Sequence, residues 1–190
     1  MVRILAFAGS SRTGSYNQRL LQVASQQART LGAEVNHLDL RDLNLPIMDQ
    51  DLELDPGPPK AVAEARHLMI EHDGFLVACP EYNGSITPLL KNFLDWMTRP
   101  EAGVPPLAAF QGKTATLLAA SAGGLGGIRG LAHVRDILSG IGTLVLPMQV
   151  AVGGADQAFH EDGQNLQNPR TQTMLAAAVQ QLVDWTGRGR

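Results

Sequence analysis

Two glycines with four residues between them, Gly9 and Gly14 in "GSSRTGSYN", begin like a nucleotide P-loop, which goes on to Lys and then Ser or Thr. Here Gly14 is followed by Ser15 and Tyr16, so both the lysine and the magnesium-binding hydroxyl are missing. What remains is Ser10, Ser11, Arg12, Thr13, Ser15 and Asn17 around the start of a helical pattern. Free amides and the helix dipole favour an anion there. Hydroxyls, an amide and one arginine suit a phosphate that is held. Transfer would need lysine and magnesium to stabilise developing charge. A polar strand-to-helix turn without a ligand is the plainer alternative.

Two more stretches have chemistry-bearing composition. "CPEYNGSITP" supplies Pro80, Glu81, Tyr82, Asn83, Gly84 and Ser85 directly after an apolar run. Tyr82 can lie flat against a planar ring while amides near Asn83 and Gly84 bond its polar edge. A turn capping the next helix explains the same residues, because Asn-Gly is common in turns. "SAGGLGGIRG" begins with Ser121, Ala122, Gly123 and Gly124 and looks like a dinucleotide fingerprint. Counting from Gly124 and Gly126, however, the sixth position is Arg129 where glycine is needed. Its glycines suit either a backbone lying close to a flat ligand or a packing turn.

Other reactive groups lack partners in the sequence. There is no nucleophile–base–acid set, no His-Glu metal motif and no pair of carboxylates at useful spacing. Cys79 ends an apolar run and reads as packing. The Glu81 side chain is expected to face solvent or a partner subunit. His67 and His72 do not share a helix face, and His133 and His160 have no convincing partners.

These loops must be held by elements, and the chain alternates strand-like and helix-like segments. Apolar runs at 2–8, 74–80, 112–121 and 142–147 read as buried strands, and 33–40 alternates like an edge strand. Tyr16, Leu20, Leu21, Ala24, Ala28 and Leu31 recur at helical spacing behind a Ser15–Gln18 capping box. Further helices are expected over 60–72, from Thr87-Pro88, from about Gly130 and from Asn168-Pro169, the last with Met174 facing inward. Residues 41–60 read as a long acidic, proline-rich surface loop. The result is an α/β chain: one domain over 1–190, built as a doubly wound five-stranded parallel sheet with helices on both faces. Ligands bind such sheets at the carboxyl ends of the strands, so the three loops should converge there.

Composition agrees. The 190 residues are 44% hydrophobic and 17% charged, with a formal charge of −3 and one cysteine. That excludes an intrachain disulfide and gives no reason to expect nucleic acid or anionic membrane as partner. With no signal peptide or membrane span in view, a cytoplasmic protein is expected.

"GSSRTGSYN", "PEYNGSITPLLKNFLDW" and the "SAGG" turn together resemble the NADPH-dependent FMN reductase family of flavodoxin-like quinone, chromate and azo-dye reductases. The resemblance implies strand order 2-1-3-4-5 and FMN as cofactor, with its phosphate on Ser10, Arg12, Ser15 and Asn17 beside Ser11 and Tyr16. It implies that Pro80 to Ser85 line the flavin ring, helped by Ser121 and its neighbours Ala122, Gly123 and Gly124. NADPH, with NADH as the alternative, is then the donor for a ping-pong cycle ending on a small acceptor. Arg12, Arg99 and Arg129 are candidates to grip its 2′-phosphate. The chemistry belongs to the flavin, so no catalytic side chain is expected. The family also implies a homodimer or homotetramer. A flavodoxin-type electron carrier serving protein partners is the competing class, although such carriers tend to be strongly acidic.

Overall fold

The computed structural model describes residues 1–188. In chain order its elements are β1 (Arg3–Ala8), α1 (Tyr16–Thr30), β2 (Glu34–Leu38), α2 (Gln50–Leu54), α3 (Lys60–Glu71), β3 (Gly74–Ala78), β4 (Glu81–Tyr82) and β5 (Ser85–Ile86). Then come α4 (Pro88–Met97), β6 (Thr114–Ala120), α5 (Ile128–Gly140), β7 (Leu144–Val152) and α6 (Pro169–Arg188). Five strands pair in parallel in the order β2-β1-β3-β6-β7, the expected 2-1-3-4-5 arrangement once the small β4-β5 hairpin is set aside.

Period-two alternation divides the core. Ile4, Ala6, Ala8, Leu76 and Leu118 face the side covered by α1 and α6. Leu5, Phe7, Phe75, Val77 and Leu117 face the side covered by α3, α4 and α5. On that second side Phe7 lies 5.9 Å from Phe75 and 5.4 Å from Phe93, tilted and edge-on as aromatic quadrupoles prefer. Among the described residues no helix is long and apolar enough to cross a membrane.

Several elements differ from the sequence expectation. The 41–60 segment is not all loop: Asp49 accepts from the Asp51 amide and caps the short α2, whose first turn carries favourable acids. The loop after β3 contains the β4-β5 hairpin, turned by Asn83 (φ 52°) and Gly84 (φ 82°). Two successive positive φ values suit an Asn-Gly hairpin turn. Met174 is 42% exposed; the buried stripe of α6 is Leu175, Ala178, Val179 and Leu182. Strand β7 runs through Pro147, where it was expected to stop. Its pairing with β6 passes from Ala115–Val145 straight to Leu117–Gln149, so Leu146, Pro147 and Met148 bulge from the ladder. Arg135 of α5 fills the gap, donating to the Val145 carbonyl at 3.0 Å, the Leu146 carbonyl at 2.9 Å and the Gln149 side chain at 3.1 Å.

Candidate functional site

After β1 the chain turns one way to β2, and from β2 it crosses back to β3 on the other side of β1. The loops after β1 and β3 therefore diverge and leave a crevice at the carboxyl ends of the strands. The ladder continues just past those ends, with the Gly9 amide on the Ala78 carbonyl (2.9 Å) and the Cys79 amide on the Leu118 carbonyl (2.7 Å). Beyond it opens a cleft of about 260 Å³ lined by Ser10, Arg12, Ser15, Tyr16, Asn17, Pro80, Glu81, Tyr82, Ala120, Ser121 and Ala122.

The first loop is pinned from beneath. Thr87 donates its hydroxyl to the Gly9 carbonyl at 2.7 Å while accepting the Leu90 amide as the N-cap of α4. A Cβ at Gly9 would come within 2.7 Å of Leu90 Cβ, so only glycine lets the loop sit on α4. Ser10 and Ser15 are 7% and 3% exposed. Each hydroxyl accepts one backbone amide, from Arg12 and Gln18 respectively, which leaves its own proton to donate. The first amides of α1 have no partner within the helix, and its first turn carries no acid. Arg12 is exposed, 4.9 Å over the Tyr16 ring, and takes part in none of the ion pairs among the described residues. Hydroxyl donors, free amides, a dipole and an uncommitted guanidinium fit a phosphate monoester.

Asn17 is spoken for differently. Its amide nitrogen donates to the Ala120 carbonyl (2.8 Å) and its oxygen accepts the Ala120 amide (3.0 Å). This clamps α1 to the end of β6 and leaves one N–H for a ligand.

The second and third loops form the other wall. Tyr82 is 53% exposed, with its ring at the cleft edge. The Glu81 side chain does not face solvent. It is 8% exposed and accepts from the Arg129 amide (3.0 Å), the Gly130 amide (3.2 Å) and the Arg129 guanidinium (Nε 2.8 Å). Burial favours its neutral acid, but the hydrogen bonds from Arg129 and Gly130 outweigh that and hold the carboxyl below its ordinary value. The glycines of the third loop divide into two kinds. A Cβ at Gly126 would strike the backbone of Ala151 to Gly153 at 2.8 Å, which is packing, whereas at Gly124 it would meet nothing within 4 Å.

The cleft thus gathers the expected residues except Ser11, Asn83, Gly84, Ser85, Gly123 and Gly124, which stand outside its lining. Ser85 instead bonds His133 Nδ1 at 2.8 Å, giving that histidine the partner it lacked in sequence. Arg99 bonds Glu53 and lies just beyond the far end of α4, a ten-residue helix about 15 Å long, so it is remote from the cleft. Arg129 is committed to Glu81. His67 bonds Glu101, and His72 bonds Asn36 and the Leu68 carbonyl. Cys79 is fully buried and donates to the Val77 carbonyl, and burial pushes its thiol well up. Among the described residues no group of three His, Cys, Asp or Glu side chains is placed to hold a metal. Sequence reasoning missed Ala120 and Thr87. The signal for each was position, as the last strand residue before Ser121 and the cap before Pro88.

A family model described as NADPH-dependent FMN reductase matches residues 2–157. An NAD(P)H-dependent FMN reductase of Pseudomonas aeruginosa is 33% identical over 191 residues, covering 100% of this chain and 97% of that protein. A probable NADPH:quinone oxidoreductase of Oryza sativa subsp. japonica is 38% identical over 138 residues, 72% of this chain and 64% of the rice protein, so this match spans under two thirds of that relative. Among solved structures, a flavoenzyme NAD(P)H:(acceptor) oxidoreductase from Paracoccus denitrificans superposes with a TM-score of 0.83 at 27% identity, covering 100% of this chain and 99% of that one.

Proposed function

Because the chain belongs to the NADPH-dependent FMN reductase family and is an oxidoreductase, we propose that it binds FMN in this cleft and passes electrons from NADPH to a small acceptor such as a quinone. The observation that carries this is the convergence of a phosphate-type donor set, Ser10, Arg12 and Ser15, with the exposed Tyr82 ring in one cleft. Bound FMN would supply two-electron acceptance and onward transfer, which the side chains themselves do not offer.

The chain's own part is to bind and orient. Ser10 and Ser15 hydroxyls, the first amides of α1 and Arg12 would hold the phosphate. Pro80 to Tyr82 and Ser121 to Ala122, which line the cleft, would border the ring, and Asn17 keeps the two walls together through Ala120. Tyr82 offers a flat surface against which a planar group can stack. With FMN bound, donor and acceptor would take turns at the open cleft, a ping-pong order. We place the protein in the cytoplasm as a homo-oligomer, a reading supported by its single buried cysteine and its low charge content.

The test is a visible spectrum after adding FMN and desalting, followed by anaerobic NADPH. Retained flavin bands that bleach on adding NADPH are expected. Retained bands that stay oxidised would transfer the protein to the electron-carrier class, and loss of flavin on desalting would overturn FMN binding itself.

A further inference from the structure

The β4-β5 hairpin carries Tyr82, yet each of its strands has two residues, far too few to be stable alone. Something else must hold it. The Glu81 carboxylate reaches across to the start of α5, taking the amides of Arg129 and Gly130 and the Arg129 guanidinium. On the second strand, Ser85 bonds His133 one turn further along α5. Between these bonds the hairpin backbone rests directly on the helix. A Cβ at Gly130 would lie 3.3 Å from the Ser85 carbonyl oxygen, tighter than side chains ordinarily pack, and would touch Glu81 Cβ at 3.4 Å. Glycine is a poor helix former, so its place in the first turn of α5 follows from this seat.

We infer that Glu81, Arg129, Ser85 and His133 form a latch fixing the hairpin to α5, and that Glu81 acts on the cofactor as a positioning residue, through Tyr82. A planar ring at the cleft then meets a tyrosine already in place. The alternative, a hairpin that must order as the ligand arrives, would lower affinity by the cost of that ordering. The acid at 81 therefore matters even though its oxygens are turned away to α5. The cofactor side of this inference rests on the FMN reading above; the latch itself does not.

The test is hydrogen–deuterium exchange on the full chain without cofactor, comparing the parent protein with Glu81→Gln and Arg129→Met. The latch predicts exchange about tenfold faster over residues 81–87 in both variants, with β1 and β3 unchanged. Unchanged exchange in the hairpin overturns it. Arg129 has a 61% exposed side chain, so its variant serves where Glu81→Gln does not fold. FMN titration supplies the second readout. Glu81→Gln should weaken binding about tenfold. Combined with Tyr82→Ala it should weaken binding no further than Tyr82→Ala alone; full additivity overturns the positioning role. A parent protein that binds no FMN overturns the functional reading and leaves exchange to judge the latch.

Discussion

Arg12 and Asn17 border the same cleft, but they act on different quantities. Asn17 closes two hydrogen bonds with Ala120 inside the protein. Asn17→Ala strands a buried carbonyl and amide, and should lower unfolding stability by about 1–3 kcal/mol. Arg12 is exposed and takes part in no ion pair among the described residues. Arg12→Ala should leave the urea midpoint unchanged and weaken FMN binding about tenfold, the worth of one charge-assisted contact. Urea titrations of both variants, with and without FMN, separate the roles. A destabilised Arg12→Ala, or one with parental FMN affinity, would refute the phosphate assignment. Both residues were legible as site candidates from their place at a helix start after a buried strand. That Asn17 faces β6 was not, because its partner lies 103 positions away.

Among the elements, β7 shows how a local rule yields to a distant side chain. Proline ordinarily ends a strand in a sequence reading, but on an edge strand at a bulge it forfeits no ladder bond. The carbonyls of Val145 and Leu146 are met by Arg135, ten and eleven positions earlier, on a different element. Arg135→Ala should cost about 1–3 kcal/mol. For a chain of this size each kcal/mol lowers Tm by roughly 2–4 °C, which a thermal scan resolves. An unchanged Tm would mean that solvent satisfies the bulge equally well. The strand order and the layers were readable, since apolar runs at regular intervals admit few right-handed arrangements. The hairpin was half readable: Asn83-Gly84 carries the turn signal, but two-residue strands leave no alternating pattern to notice.

For the whole molecule, acid weakens the fold through three titratable groups. Glu101 is held below its ordinary value of 4.5 first by the hydrogen bond from Arg66, then by His67, against the opposing effect of burial. Glu81 is lowered likewise by its Arg129 and Gly130 bonds. A carboxyl depressed in the folded state contributes stability that is complete above its unfolded value and lost as pH falls through the folded one. His37 is also lowered, by burial first and Arg29 second, so the unfolded chain takes up its proton near 6.5 while the folded one still refuses it. Below neutrality Tm should therefore decline gently under about pH 6.5 and fall more steeply below about 4.5. Glu101→Gln should flatten the lower limb, and an unaltered limb would show that this pair is not involved. Electrophiles such as quinones and haloacetamides modify exposed thiolates. Cys79, the sole sulfhydryl, lies sealed behind the cleft floor with its thiolate form suppressed. Iodoacetamide should leave the Cys79 thiol unlabelled in the native protein and label it in denaturant, so the fold offers an electrophile no accessible thiol.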